Sequence, residues 1–118
     1  MDQFTLEWLP ATNDQVRTLK VSGPFTLSSV FDFQTITRES TAPIVLIDLS
    51  GVPYMDSASL GSVLGFHVSC QRESRKYALI GPSDRLKTLF RISGVQELLS
   101  IYPTAEAAEE GLKKSASA

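Results

Sequence analysis

The apolar run "IVLIDL" from Ile44 to Leu49 constrains the fold of this chain more than any other segment. It is rich in β-branched residues, and apolar side chains fall on both faces of the strand that it predicts. Helical spacing of apolar residues precedes it, from Thr26 to about 38–40, and follows it, from Ser57 to about Glu73. A strand that is apolar on both faces is typical of the middle of a parallel sheet covered by helices.

Shorter patterns complete the order of elements. Two alternating segments, Phe4–Leu9 and Val16–Val21, flank the turn "ATND" and predict an N-terminal hairpin. The later elements are a strand at Tyr77–Ile80, a helix from its cap Ser83 to Gly94, a strand at Leu98–Tyr102 and a helix from its cap Thr104 to about Lys114. Strands that alternate with helices predict an α/β fold, in which parallel strands joined by right-handed crossovers extend the hairpin into a small mixed sheet.

Two of these helices carry apolar residues for which the spacing predicts a buried position. Leu27 and Phe31 fall on the apolar face of the first helix, and Ile92 falls on that of the third.

Length and composition narrow the function classes. The 118 residues fit one domain, 1–114, followed by a frayed tail at 115–118, and 42% of them are hydrophobic. The net charge of −2 and the scattered basic residues do not indicate nucleic-acid binding. The single cysteine, Cys70, excludes an intramolecular disulfide and a metal site built on paired thiolates. Neither a secretory signal nor an apolar run of about 20 residues is visible, so we expect a cytoplasmic protein that does not enter a membrane.

Signals for catalysis are weak. The single histidine, His67, lies on the central predicted helix about 15 Å along its axis from Ser57 and Ser59, which is too far for a Ser/His/Asp arrangement. We interpret it as a residue at the border of the apolar face. The chain contains no glycine-rich phosphate loop and no dinucleotide fingerprint. We therefore expect no enzymatic activity, no cofactor and no metal.

The motif "DSAS" at 56–59 begins the central helix and has two interpretations. Asp56 is a good N-cap, which places Ser57 and Ala58 at the first two helical positions and Ser59 at the third. The motif is then only a cap. Alternatively, Ser57 presents a hydroxyl where the free N–H groups and the dipole would stabilise a phosphate.

Gly61 and Gly65 lie four residues apart inside the same helix, where each costs roughly 1 kcal/mol relative to alanine. Either a neighbouring element approaches them closely, or they leave room for a partner.

The segment "IVLIDLSGVPYMDSASLGSVLG" resembles the signature of STAS domains, named for sulfate transporters and anti-sigma factor antagonists. The resemblance continues through "LKVSGPFTL" and "YALIGPSDRLKTLFRISGVQELLSIYPTAEAA", so it covers nearly the whole domain. It implies a STAS-like fold, with a small mixed sheet, helices packed mainly on one side, and no catalytic activity.

The resemblance also implies a phosphorylation site. In free-standing bacterial members, the serine after the motif Asp is phosphorylated by an anti-sigma factor that is itself a serine kinase, and phosphorylation ends their binding. Ser57 matches that serine, Asp56 the motif Asp, and Asp48 an acid often found beside the site. In two departures, Ser59 replaces the usual glycine as an extra side chain beside the acceptor, and Thr26 replaces an Asp found in many phosphorylated members.

The resemblance therefore predicts an anti-sigma factor antagonist-like regulator that binds such a kinase and is switched off by phosphorylation at Ser57. The predicted partner-binding residues are Thr26, Tyr54, Asp56, Ser57, Ala58, Ser59, Leu60, Ser62 and Phe66. Ser62 and Phe66 are expected on the exposed side of the helix; Phe66 either anchors a partner or packs against a neighbouring helix. The alternative function is a STAS scaffold without phosphorylation, or a ligand-responsive subunit of a larger signalling or transport complex. The sequence does not predict the oligomeric state.

Overall fold

The structure is a computed structural model that describes residues 3–11 and 13–116. Its strands are β1 (Thr5–Trp8), β2 (Val16–Ser22), β3 (Ile44–Gly51), β4 (Lys76–Ile80) and β5 (Ile101–Tyr102). Its helices are α1 (Val30–Arg38), α2 (Ser57–Arg72), α3 (Asp84–Ile92) and α4 (Ala105–Ala116), and a 3₁₀ turn at Leu27–Ser29 precedes α1.

The five strands form one sheet in the order β1-β2-β3-β4-β5. Strand β1 pairs antiparallel with β2, and the remaining neighbours pair in parallel. The hairpin and the parallel strands predicted from the sequence are confirmed, and β3 lies in the middle of the sheet as its apolar faces predicted.

Successive apolar side chains of β3 point to opposite faces of the sheet, so both faces must be covered by helices. Val45, Ile47 and Leu49 enter the larger core, which also contains buried residues of α1, α2 and α3. Leu46 enters a smaller core on the other face, where α4 contributes Ala108 and Leu112. Three helices therefore pack on one face and one on the other, as the STAS-like fold implies. Each fully buried aliphatic side chain of β3 contributes about 1.5–3 kcal/mol.

The largest difference from the predicted strand boundaries is at the start of β5. Strand β5 has two residues instead of the five predicted at Leu98–Tyr102, because the chain before it turns: the N–H groups of Leu98 and Leu99 both donate to the Val95 carbonyl. Leu99 is buried in the larger core all the same.

The last helix is longer than predicted, since α4 reaches Ala116. The fraying of residues 115–118 stays a prediction, and residues 117 and 118 lie outside the described residues. Thr12 of the predicted "ATND" turn also lies outside them. Within the described part of the chain, none of the helices is both long enough and apolar enough to cross a bilayer.

Candidate functional site

The first turn of α2 is closed by a reciprocal capping box. The Asp56 carboxylate accepts a hydrogen bond from the Ser59 N–H at 2.9 Å, and the Ser59 hydroxyl oxygen accepts one from the Asp56 N–H at 3.1 Å. Helix α2 starts at Ser57, so the predicted positions of Asp56, Ser57, Ala58 and Ser59 are confirmed. These bonds satisfy N–H groups that have no partner within the helix.

The second oxygen of the Asp56 carboxylate joins this helix start to the segment after β2. It accepts a hydrogen bond from the Leu27 N–H at 2.9 Å. Two backbone bonds reinforce the connection, from the Phe25 N–H to the Tyr54 carbonyl and from the Asp56 N–H to the Phe25 carbonyl. The 3₁₀ turn therefore lies directly beside the start of α2.

These hydrogen bonds also set the charge of the site. The N–H of Ser59 makes the largest contribution to lowering the pKa of Asp56; burial opposes it, and the N–H of Leu27 adds to it. Since the pKa falls below the ordinary value of 3.8, Asp56 is a carboxylate at neutral pH.

Ser57 occupies the first position of α2 and is exposed. Its hydroxyl is accessible to another protein at the end of the helix where the dipole favours negative charge. Ala58 is half-buried, and Thr26 is half-buried with its hydroxyl 3.0 Å from that of Ser28. Tyr54, on the loop before the cap, is exposed.

Four predicted partner-binding residues are buried, which contradicts their assignment to an exposed surface. Ser59 points inward as part of the capping box and is fully buried, so the expectation of an extra side chain beside Ser57 is wrong. Leu60 belongs to the larger core. Ser62 is buried and donates its hydroxyl hydrogen to the Ser59 carbonyl at 2.7 Å.

Phe66 is buried because α1 covers this side of α2. Its ring lies between those of Phe33 on α1 and Tyr77 on β4, with centroids 6.3 and 5.8 Å away. The interpretation of Phe66 as a residue that packs against a neighbouring helix is confirmed, and its expected place on the exposed side is wrong. An amphipathic pattern shows one buried face, whereas α2 is covered by both the sheet and α1.

The exposed apolar residues near Ser57 are ones that the sequence assigned to buried faces. Leu27 is 70% exposed and Phe31 is 74% exposed. Phe31 lies about 200° around α1 from the buried Phe33, so Phe33 turns inward while Phe31 faces the solvent. Leu27 is exposed in the 3₁₀ turn that precedes α1.

A further exposed apolar residue, Ile92, lies near Tyr54. Ile92, on α3, is 75% exposed and lines a shallow groove with Tyr54 and Met55. Its predicted burial is wrong, because Ile92 lies about 200° around the helix from the buried Phe90. The Arg85 guanidinium lies over the Tyr54 ring at 5.3 Å.

Asp48 does not share a face of the sheet with α2. Its side chain follows that of Leu46 on the face covered by α4, whereas α2 packs on the opposite face. It accepts hydrogen bonds from the N–H and the hydroxyl of Ser50 and lies 3.6 Å from the Lys20 ammonium. Burial raises the pKa of Asp48, but the Ser50 hydrogen bonds and the Lys20 charge outweigh it and lower the pKa overall.

His67 is buried in a hydrogen-bonded pair with Tyr77. Its Nδ1 lies 2.8 Å from the Tyr77 hydroxyl, which also accepts a long hydrogen bond from the Ser100 N–H. Burial raises the pKa of Tyr77 to about 12, so its hydroxyl stays protonated at neutral pH and lies within hydrogen-bond distance of His67 Nδ1. Burial likewise raises the pKa of the Cys70 thiol to about 11. The pair joins α2 to β4, ten residues from Ser57, and the predicted separation between His67 and Ser57 is confirmed.

Comparison with known proteins places this geometry in a family. The model of the STAS domain matches residues 8–108. The anti-sigma-B factor antagonist of Staphylococcus aureus (strain NCTC 8325 / PS 47) is 28% identical over 98 residues, covering 80% of this chain and 91% of the relative.

Two solved structures of SpoIIAA share the fold. The anti-sigma factor antagonist SpoIIAA in its unphosphorylated form has a TM-score of 0.73 and 18% identity, over 95% of this chain and 97% of that one. The Bacillus cell fate determinant SpoIIAA in its phosphorylated form has a TM-score of 0.65 and 19% identity, over 93% and 99%. With its sheet order, its capped central helix and a family match over most of its length, this chain belongs to the STAS domain family.

Proposed function

We propose that this protein is an anti-sigma factor antagonist-like regulator, which binds an anti-sigma factor with serine kinase activity and is released when Ser57 is phosphorylated. The observation that carries the proposal is the exposed Ser57 hydroxyl at the capped start of α2, with exposed apolar side chains around it. The names of the S. aureus relative and of SpoIIAA support the same function.

The surface around Ser57 exposes three large side chains that a partner could cover, Leu27, Phe31 and Tyr54. We define the docking surface as Leu27, Phe31, Tyr54 and 56–58. Leu27 is held beside Asp56 by its N–H, Phe31 follows one helical turn later, and the Tyr54 carbonyl bonds to the segment before Leu27. Large exposed side chains of this kind anchor a partner, because they are desolvated when it binds.

Phosphorylation would change this surface without unfolding the helix. A phosphoserine adds about 1.5 to 2 negative charges. At Ser57 it would stand next to the ionised Asp56, whose carboxylate also accepts the Leu27 N–H. The partner would then have to desolvate two adjacent anions, whereas in solution the phosphate stays hydrated at the end of α2 where the helix dipole favours negative charge. Binding therefore weakens while the fold persists.

The first test maps the phosphate. The protein is incubated with the anti-sigma factor kinase of its own genome and with Mg·ATP, and the modified residue is identified by mass spectrometry. We expect one phosphate on Ser57, none on the Ser57→Ala variant, and unchanged incorporation in Ser28→Ala, which removes a nearby exposed hydroxyl. Phosphate on another residue, or none, contradicts the switch.

The second test measures the docking surface by calorimetric titration of the same kinase. Leu27→Ser should weaken binding at least tenfold, since it removes an exposed apolar anchor and leaves the core intact. The matched control is Leu98→Ser, which removes a leucine that is 53% exposed in the turn before β5. Equal effects of the two substitutions contradict the assignment of the docking surface.

Thr26 favours a second candidate function, a STAS scaffold without phosphorylation or a ligand-responsive subunit of a larger signalling or transport complex. Its neutral side chain stands where many phosphorylated members carry an Asp, and its hydroxyl pairs with Ser28. Under this function Ser57→Asp leaves partner binding unchanged, and the purified complex contains a transporter or a multisubunit assembly instead of a kinase.

A further inference from the structure

A groove of about 550 Å³ lies between the C-terminal half of α1 and the outer side of α2. Gln34, Thr37 and Arg38 line it from α1, and the residues from α2 include Gly65 and Ser69. The residues of the docking surface are not among those that line it. A volume of this size is within the range of small-molecule sites.

Arg75 supplies an incompletely used guanidinium group to this groove. Its side chain is only 11% exposed, its Nε donates to the Ala42 carbonyl at 3.0 Å, and its Nη1 donates to the Glu73 carboxylate at 3.0 Å. Its Nη2 is buried and has no acceptor among the described residues. Since buried polar groups are nearly always paired, an unpaired N–H on a charged group is a reason to look for a ligand.

The groove can admit an anion without opening a buried ion pair. Glu73 is 57% exposed, and surface ion pairs of this kind are weak. A carboxylate or a phosphate can therefore take its place on Nη1, and a second oxygen of such a group would reach the buried Nη2 once the Glu73 side chain has moved away, because the guanidinium fork matches two oxygens. Arg38 brings a second positive charge to the lining, where Glu73 is the one acidic residue among those described.

The remaining lining suits a hydroxylated molecule with a small apolar part. The hydroxyl groups of Ser40, Thr41 and Ser69 and the amide of Gln34 supply hydrogen-bonding groups, and Phe66 contributes an apolar patch. Sites of this kind combine apolar contact with a few well-placed polar groups.

Gly65 keeps this groove open. A methyl group at Gly65 would meet no atom within 4 Å, so close packing does not account for a glycine inside α2. Gly61 has the same free space but does not line the groove. Of the two interpretations of these glycines, room for a partner is the one that fits Gly65.

We propose that the groove between α1 and α2 binds a small hydroxylated organic anion, whose carboxylate or phosphate group is held by Arg75. The proposal does not depend on phosphorylation of Ser57.

The test is a titration of the ¹⁵N-labelled protein, followed by amide chemical shifts, with citrate, glucose 6-phosphate and, as the neutral probe, glucose. We expect saturable binding of at least one anion with a Kd of about 1 mM or below, and none of glucose. Citrate alone identifies a carboxylate ligand, and glucose 6-phosphate alone identifies a phosphate ligand; either result supports the site if the shifts lie in α1 and α2.

Two leucine substitutions locate the binding. Gly65→Leu fills the groove and should weaken anion binding at least tenfold, whereas Gly61→Leu adds the same side chain outside the groove and should leave it unchanged. Arg75→Gln should also weaken it at least tenfold. If Arg75→Gln does not fold, the comparison of Gly65→Leu with Gly61→Leu tests the site without it.

Three results would overturn the proposal: no saturable binding of either anion, equal binding in Gly65→Leu and wild type, or glucose binding as tightly as the anions.

Discussion

The Asp56 carboxylate holds two segments together, so its removal should have a measurable and calculable cost. It caps α2 through the Ser59 N–H and joins the 3₁₀ turn through the Leu27 N–H. Loss of an N-cap costs about 1 kcal/mol. The second bond is exposed and water can replace it, so it contributes about 0.5 kcal/mol. Asp56→Ala should therefore lower the free energy of unfolding by about 1.5 kcal/mol.

Thermal and urea unfolding at neutral pH measure this effect. For 118 residues at roughly 2.1 cal/mol/K each, the expected fall in Tm is about 6 °C. Asp56→Asn should lower the free energy of unfolding by about half as much as Asp56→Ala, because the single amide oxygen of asparagine can replace only one of the two carboxylate oxygens as an acceptor. The control is Asp84→Ala, which removes an exposed acid in the first turn of α3, a helix capped by Ser83. We expect the control to cost under about 0.5 kcal/mol.

The pH dependence follows from the lowered pKa of Asp56. A carboxyl whose pKa is lower in the folded state stabilises the protein above its unfolded value, near 3.8, and this contribution is lost as the pH falls through the folded value. The difference between wild type and Asp56→Ala should thus be constant near neutral pH and shrink below 3.8. An Asp56→Ala protein as stable as wild type, or a difference that grows in acid, would refute the role of the carboxylate.

Two further stability predictions concern other parts of the fold. Gly65→Ala should raise the free energy of unfolding by about 0.5–1 kcal/mol, since alanine is the better helix former and its methyl group meets nothing. Gly111→Ala should lower the free energy of unfolding, because the added carbon would lie 2.5 Å from the Tyr102 ring. If urea unfolding shows Gly65→Ala less stable than wild type and Gly111→Ala more stable, both predictions are contradicted. Tyr77→Phe should cost about 1–3 kcal/mol by leaving the buried His67 Nδ1 without its hydrogen-bond partner, and a change under about 0.5 kcal/mol in the same assay means that the pair contributes little.

Local chemistry was sufficient to predict the order of elements and the start of the central helix. Asp56 caps α2 because a short acidic side chain reaches the N–H of the third helical residue, and this depends on only four adjacent residues. The apolar run of β3 predicted a central strand for an equally local reason, because successive residues are apolar on both faces, and both faces are covered in the structure.

The parts that the sequence did not predict depend on tertiary contacts or on helix phase. Phe66 is buried because α1 lies over α2, and no spacing within α2 reveals that second contact. Phe31 is exposed because it lies about 200° around α1 from the buried Phe33, and Leu27 is exposed in a 3₁₀ turn where the sequence predicted the first helix. The groove at Arg75 is formed by two segments that are distant in the sequence, 34–41 and 62–75, so the guanidinium with an unused N–H was not visible in the sequence.

The central claim is that one phosphate at Ser57 decides whether the partner binds, while the scaffold is unchanged. The most direct measurement uses protein carrying phosphoserine at position 57 and titrates it calorimetrically with the anti-sigma factor kinase, beside protein carrying phosphoserine at position 28. We expect an affinity at least tenfold lower for the protein modified at Ser57 than for the unmodified protein, with the same circular dichroism spectrum and a Tm within a few degrees. Unchanged affinity of the protein modified at Ser57, or a loss of affinity that accompanies unfolding, would contradict it.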